Sequence, residues 1–248
     1  MESETWTHRI TTWRAAPGAV RARVCWERIP AQVADSMAFE REAVALRTLE
    51  HWHAATGDPD TAQTQESPPS PSDRPHAIAR QVLTLERQIA QGQFDPHPLD
   101  DHLVRDLHSA ICAPVAPSLA GWRHIAVAIG NHITPDWPLV PALMRDYGRD
   151  LEARIAAHGL EPTERLIETL AFAEGRLLAI HPFADYNGRV TRVFLRLLLR
   201  RLQLPPVRLV PGEDGRGDYL AALGAADRGD WRPLMDTWLK RLRTAQWP

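Results

Sequence analysis

The stretch His181-Pro182-Phe183-Ala184-Asp185-Tyr186-Asn187-Gly188-Arg189-Val190-Thr191-Arg192 decides how this chain is read. A helical run leads into it and another leads out. Backbone N–H groups at the start of a helix lack partners, and the helix dipole favours negative charge there, so a loop that opens a helix can hold an anion. Arg189 and Arg192 fall in that first turn, three residues apart and therefore on one face. A cation at a helix N-terminus is disfavoured unless something negative sits beside it. His181 offers a base near neutral pH, and Asp185 offers a hard oxygen ligand for magnesium.

Working outward, Leu166, Leu170, Ala173, Leu177 and Ile180 recur at helical spacing. That helix ends at His181, because Pro182 disfavours helical geometry in the residue before it. The next helix, about Gly188 to Leu202, is apolar around much of its circumference and belongs in the core. Earlier helices are marked by Ile78, Val82, Leu85 and Ile89, and by Leu103, Leu107 and Ile111. Others fit Pro141 to Ala157, Tyr219 to Ala226 and Trp231 to Leu242. From Trp122 to Pro135 the pattern alternates, with Ile125, Val127 and Ile129 on one side and a Gly130-Asn131 turn signal, which predicts a β-hairpin flap. A Ser/Pro/Gln-rich stretch over residues 61–75 reads as a linker or long loop. It divides an N-terminal region, residues 1–60, from a helical core, residues 76–248.

Composition excludes several classes. The 248 residues carry a formal net charge of −2, which gives no electrostatic case for nucleic acid. Lys240 is the sole lysine and lies in no Gly-Lys-Ser/Thr context, so no P-loop is present. Cys25 and Cys112 show no metal-ligand spacing and point to a reducing compartment. No signal peptide and no membrane-length apolar run is evident, so the expectation is a cytoplasmic protein without membrane attachment. His51 and His53 form no ligand pattern, and no H-E-x-x-H motif supports a metal-dependent hydrolase.

The signature resembles that of the Fic family, H-P-F-x-[DE]-[GA]-N-G-R-x-x-R. It matches at His181, Pro182, Phe183, Asp185, Asn187, Gly188, Arg189 and Arg192. It departs at Tyr186, where the family usually has a small residue. The resemblance extends more loosely over residues 76–243 and implies a mainly α fold: a Fic-like helical core with a short β-hairpin flap. It implies that His181 activates a Ser, Thr or Tyr hydroxyl of a target protein. That hydroxyl attacks the α-phosphorus of ATP, with Asp185 placing Mg2+ and Asn187, Gly188, Arg189 and Arg192 holding the phosphates. Gly188 favours AMP transfer, since the phosphorylating branch carries lysine there. The target is expected to dock on the flap near residues 122–135 by strand pairing, and self-modification is possible chemistry for such a site.

A second feature stands on residues alone. Residues 31–50 read as one helix on which Val33, Met37 and Val44 form a stripe, with Glu40 inside it and Ser36 one turn before. A carboxylate on an apolar stripe either meets water at the rim or needs a cationic partner. The Fic resemblance supplies a candidate. Many members carry an inhibitory helix, S/T-x-x-x-E-G/N, whose glutamate pairs with the second signature arginine. Ser36-Met37-Ala38-Phe39-Glu40-Arg41 matches through the glutamate, with Arg41 in place of Gly or Asn. The leading expectation is therefore an autoinhibited protein adenylyltransferase. Its rivals are the same site removing AMP, or a catalytically quiet, antitoxin-like regulator.

Overall fold

The computed structural model describes residues 3–55, 74–130, 132–159 and 161–245. Among these the architecture is mainly helical, as the periodicity predicts. The N-terminal helices are α1 (Ser3–Ala15), α2 (Gly18–Glu27), α3 (Ile29–Phe39) and α4 (Leu46–Ala54). Then come α5 (Arg74–Ala90), α6 (Asp101–Cys112), α7 (Val140–His158), α8 (Glu164–Ile180), α9 (Asn187–Arg201), α10 (Arg216–Asp227) and α11 (Arg232–Thr244). Between α6 and α7 a small hairpin pairs β1 (Ala128–Ile129) with β2 (His132–Ile133). The strands are antiparallel, with Ala128 opposite Ile133 and Ile129 opposite His132. The hairpin is much shorter than the alternating stretch suggests. No helix among the described residues is long and apolar enough to cross a membrane.

Helix α9 lies at the centre because apolar side chains take up much of its circumference and the arginines of its first three turns meet carboxylates from neighbouring segments. Val190, Val193, Phe194, Leu195, Leu197 and Leu198 are all buried, and α3, α5, α6 and α8 surround it. Helix α6 is started by Asp100, whose Oδ1 accepts from the Leu103 amide at 2.9 Å, one of the orphan donors of its first turn. Helix α8 is gripped from the other side by α10 and α11. There Glu174, 1% exposed, accepts from Arg241 Nη1 at 2.6 Å and from the Tyr219 hydroxyl at 2.6 Å. Arg241 Nη2 also donates to the Leu209 carbonyl.

The expected single helix over residues 31–50 is two helices. Helix α3 ends at Phe39, and the chain closes on itself. The Arg41 amide donates to the Ala38 carbonyl at 2.9 Å, and the Glu42 amide to the Met37 carbonyl at 3.0 Å. This pair of bonds is a Schellman cap, which needs a left-handed residue just past the helix. Arg41 adopts that conformation, with φ 61°. Val33 and Met37 are fully buried as the stripe requires, but Val44 reaches the core from the connection to α4. The expected linker lies outside the described residues except for Arg74 and Pro75, which already form the start of α5. Proline is tolerated there because a first-turn amide has no partner to lose.

Helices α3 and α4 share one hydrophobic cluster with α8 and α9, through Val33, Met37 and Leu49 beside Leu177, Phe194 and Leu198. Replacing Glu174 with alanine is expected to strand the Arg241 charge in that interior. The expected loss is about 3–5 kcal/mol of unfolding free energy, read by urea denaturation; a loss below 1 kcal/mol would mean that the pair is not what ties α11 to α8.

Candidate active site

Three left-handed residues shape the site. His181 closes α8 with φ 48° and ψ 62°. Proline after it rules against αR, and histidine tolerates this region better than most residues. Tyr186 precedes α9 with φ 64°, which is the physical reason a small residue suits that position. Arg41, at the end of α3, is the third. Between His181 and Tyr186 the loop is braced internally. Asn187 Oδ1 accepts from the Phe183 amide at 3.0 Å, and Asn187 Nδ2 donates to the Phe183 carbonyl at 2.8 Å. Asn187 was expected to donate to a phosphate. In the structure its side chain also braces the loop backbone, and the second N–H of Nδ2 is not used by these bonds.

Sequence reading missed His108, a buried histidine on the apolar face of α6. Its ring stacks on Phe183 at 3.7 Å with the planes 1° apart. Its Nε2 lies 3.1 Å from the Asp185 carbonyl and so carries the proton. Burial pushes its pKa down to about 4, against the Asp185 backbone and carboxylate, which push it up. Asp185 itself is half-exposed. Its Oδ1 accepts from the Tyr186 amide at 2.7 Å, and its Oδ2 faces Arg74 Nη2 at 3.4 Å. Arg74 Nε also donates to the Tyr186 hydroxyl at 2.8 Å. The Tyr186 ring lies 4.9 Å from the Arg189 guanidinium carbon, so this chain uses the ring as a shelf for that arginine.

The two signature arginines of α9, Arg189 and Arg192, are buried, and each meets a carboxylate from the α3–α4 connection. Arg192 Nη2 donates to Glu40 Oε1 at 2.6 Å, and Arg192 Nε to the Ser36 hydroxyl at 2.8 Å. Arg189 Nη2 donates to Glu42 Oε2 at 2.6 Å. Glu42 was not singled out from the sequence. Residues 40 and 42 would point apart on a helix, and only the left-handed turn at Arg41 aims both at α9. A glycine at Arg41 would have signalled that turn. Gly188 is needed for the approach. A Cβ there would stand 2.4 Å from Glu40 Oε1. Burial pushes the Glu40 carboxyl up, but Arg192, with Arg189 and Arg216, more than offsets this and leaves it below the ordinary carboxylate value. A carboxylate thus sits where the start of α9 favours an anion.

His181 stands at the other end of the loop. Its Nδ1 is buried without a well-formed hydrogen bond. Burial pushes its pKa down to about 4; the Leu178 backbone opposes this, Arg123 and His132 add to it, and Asp185 opposes it. The imidazole is therefore neutral and able to accept a proton at physiological pH. The site so assembled brings together His181, Asp185, Gly188, Arg189, Arg192, Ser36 and Glu40, with Asn187 behind them.

Residues 98–199 match the Fic/DOC family. That stretch runs from the start of α6 through the flap to the last turns of α9. Proteins called protein adenylyltransferase Fic from Drosophila persimilis and Drosophila melanogaster are each 32% identical to this chain over 133 residues. The alignment takes in 53% of this chain and about a quarter of the relatives' length. Among solved structures, Fic-1 from C. elegans superposes with a TM-score of 0.72 over 97% of this chain and 69% of its own, at 20% identity. A Fic domain containing signaling protein from Bacteroides thetaiotaomicron gives 0.72 over 99% of this chain and 95% of its own, at 16% identity. The fold is therefore Fic-like: helical, with a two-strand flap.

Two outcomes follow from the site's strained and buried groups. Arg41→Gly is expected to relieve a left-handed conformation that costs a non-glycine residue about 1–2 kcal/mol, less about 0.4–1 kcal/mol of added unfolded-chain entropy. The melting temperature should rise by about 1–4 °C, and a fall would show that the Arg41 side chain is itself anchoring the turn. The second concerns acid. His108 and His181 bind protons near pH 4 when folded, but near the ordinary histidine value of about 6.5 when unfolded. The unfolded state therefore binds more protons between these values, and stability is lost as pH falls through that window. Unfolding curves at pH 7 and pH 5 should show this loss, and His108→Gln should flatten the dependence; an unchanged slope would place its proton affinity elsewhere.

Proposed function

We propose that this protein transfers AMP from ATP to a hydroxyl of a target protein, and that Glu40 and Glu42 hold it inactive. The observation that carries the reading is the Glu40 carboxylate packed over Gly188 and held by Arg192, whose Nε is in turn held by the Ser36 hydroxyl. An anion-binding helix start with buried, forked donors suits phosphate oxygens, and here an acidic side chain of the same chain takes that place. The similarity to adenylyltransferases supports the choice of nucleotide and reaction.

The steps assign themselves by position. His181, neutral and at the loop's other end, takes the proton from the incoming hydroxyl. The hydroxyl oxygen bonds to the α-phosphorus, and the bond to pyrophosphate breaks. Arg189 and Arg192 meet charge on the outer phosphates once freed from Glu42 and Glu40. A bound triphosphate would also raise the proton affinity of His181 through its negative charge. Asp185 fits a magnesium site. Mg2+ commonly uses one or two carboxylates and completes its shell with phosphates and water, and no cluster of three or more acidic, histidine or cysteine ligands occurs among the described residues. When bound there, magnesium supplies neutralisation of phosphate charge. Asn187 contributes through the loop it braces. Target docking on the flap is supported by exposed apolar side chains. Ile125, Ile129 and Ile133 on the flap, with Trp137 and Leu139 just after it, are five of the seven large hydrophobics that stand exposed among the described residues.

The test uses ATP labelled at the α- or γ-phosphate and reads self-labelling. Glu40→Gly removes a charge-assisted bond of about 1.5–3 kcal/mol and should raise α-labelling by about one to two orders of magnitude. Arg189 remains latched in that variant, so adding Glu42→Gln should raise the rate further, and calorimetry should show tighter Mg–ATP binding at each step. His181→Ala in the doubly released protein should abolish labelling while leaving nucleotide binding nearly intact. Equal rates in wild type and both released forms would remove the inhibitory role. Label from the γ-phosphate alone would replace AMP transfer with phosphorylation, and loss of AMP removal in Glu40→Gly would favour the reverse reaction.

A further inference from the structure

A helix end leaves carbonyls without intrahelical donors. At the end of α8 the four consecutive carbonyls from Ala179 to Pro182 are each approached by a donor from the flap segment. His132 Nε2 lies 3.0 Å from the Ala179 oxygen. Arg123 Nη2 lies 3.5 Å from the Ile180 oxygen, and Arg123 Nε donates to the His181 oxygen at 2.8 Å. The Arg123 backbone amide donates to the Pro182 oxygen at 2.9 Å. The same guanidinium reaches both stems of the hairpin, through Nη1 to the Ile125 oxygen at 2.9 Å and Nη2 to the Pro135 oxygen at 2.5 Å. Arg123 is 2% exposed. The second nitrogen of His132 lies 2.9 Å from Asp227 Oδ2 on α10.

We propose that Arg123 and His132 are positioning residues that make the flap the cap of the helix bearing His181, so that a strand paired to the flap and the base meeting its hydroxyl keep one register. This rests on the reading of His181 as the base. The Trp122 ring, 5.1 Å from that of Phe183, anchors the first residue of the flap segment, but the hairpin beyond it has little else to hold it. Two residues per strand are too few for a hairpin to hold its shape alone, and Ala128, Ile129 and Ile133 all face solvent. From Arg123 onward, this set of bonds ties the hairpin to α8. Thr134 Oγ1 adds one inside the hairpin, to the Val127 oxygen at 2.7 Å. A buried cation at a helix C-terminus also meets the negative end of the dipole. A planar fork suits carbonyls in several directions; the point charge of lysine cannot span them.

The experiment compares Arg123→Lys and His132→Gln, each alone and in the Glu40→Gly protein. Amide exchange should quicken together in the flap, residues 125–134, and at Ile180, His181 and Phe183. In the Glu40→Gly background kcat for self-labelling should fall by about ten- to a hundredfold, the scale set by small misplacements of reacting groups. KM for ATP should stay within about twofold, because neither residue touches the arginines of α9 and uniform nucleotide binding is untouched. Faster exchange in the flap alone, or an unchanged kcat, overturns the proposal. So does a rise in KM equal to the loss in kcat. His132→Gln, at a half-buried position, decides the matter if Arg123→Lys does not fold. If the Glu40→Gly protein takes no label from ATP at all, AMP transfer is what fails, and the exchange comparison still decides the coupling.

Discussion

Two guanidiniums buried in the first turn of a helix, at the positive end of its dipole, impose a demand for negative charge that the rest of the chain must meet. Arg189 and Arg192 have side chains only 5% and 6% exposed. Left unpaired in that position they would destabilise the fold by several kcal/mol each. The α3–α4 connection answers with Glu42 and Glu40, and Ser36 takes the remaining Nε of Arg192. The capping of α3, the turn at Arg41 and the absence of a side chain at Gly188 all serve that meeting. On the proposed reading, phosphate answers the same demand in the active state, so substrate and brake compete for one electrostatic need.

The close packing around this point explains why non-glycine residues tolerate left-handed backbone there. Tyr186 is buried, with its hydroxyl held by Arg74 and its ring under Arg189. His181 has its carbonyl fastened by Arg123. Strained conformations persist where the surroundings over-determine them, and each of these has several contacts that would be lost on relaxing. Arg41 differs. It is held by two backbone bonds of the cap, and so it is the least supported of the three.

Much of the arrangement was legible in the sequence because it is local. The end of α8 follows from Pro182, the course of α9 from its apolar circumference, and the Ser36–Glu40 spacing from one helical turn. What escaped is set by contacts between distant segments. Nothing in the sequence around Arg123 says that its guanidinium will meet carbonyls 57 and 58 residues away. His108 looked like one more polar residue on an amphipathic helix, and only packing shows it stacked under the loop. The break after Phe39 was hidden because the residue at the left-handed position is arginine, so the apolar stripe ran on through Val44 and suggested one helix where there are two. That Asn187 also braces the loop through Phe183 depends on a loop geometry that spacing alone does not reveal.

If Glu40 and Glu42 act as the proposed brake, the α3–α4 connection also sets how the site would open. Val33 and Met37 before it, and Leu49 after it, are fully buried, so the helices on either side are walls of the core and cannot detach without unfolding it. Only the residues from Glu40 to about Ala43, short of the buried Val44, are free to change course. Opening is then a local remodelling of one short connection, with loop-scale kinetics on the nanosecond-to-microsecond scale, rather than the undocking of a domain. On the proposed reading two ion pairs close this gate, and two-state populations respond steeply: a differential of about 5.5 kcal/mol carries an equilibrium from one per cent open to ninety-nine. An activator has no need to grip a large surface. It has only to bind the connection in its open course better than in its closed one.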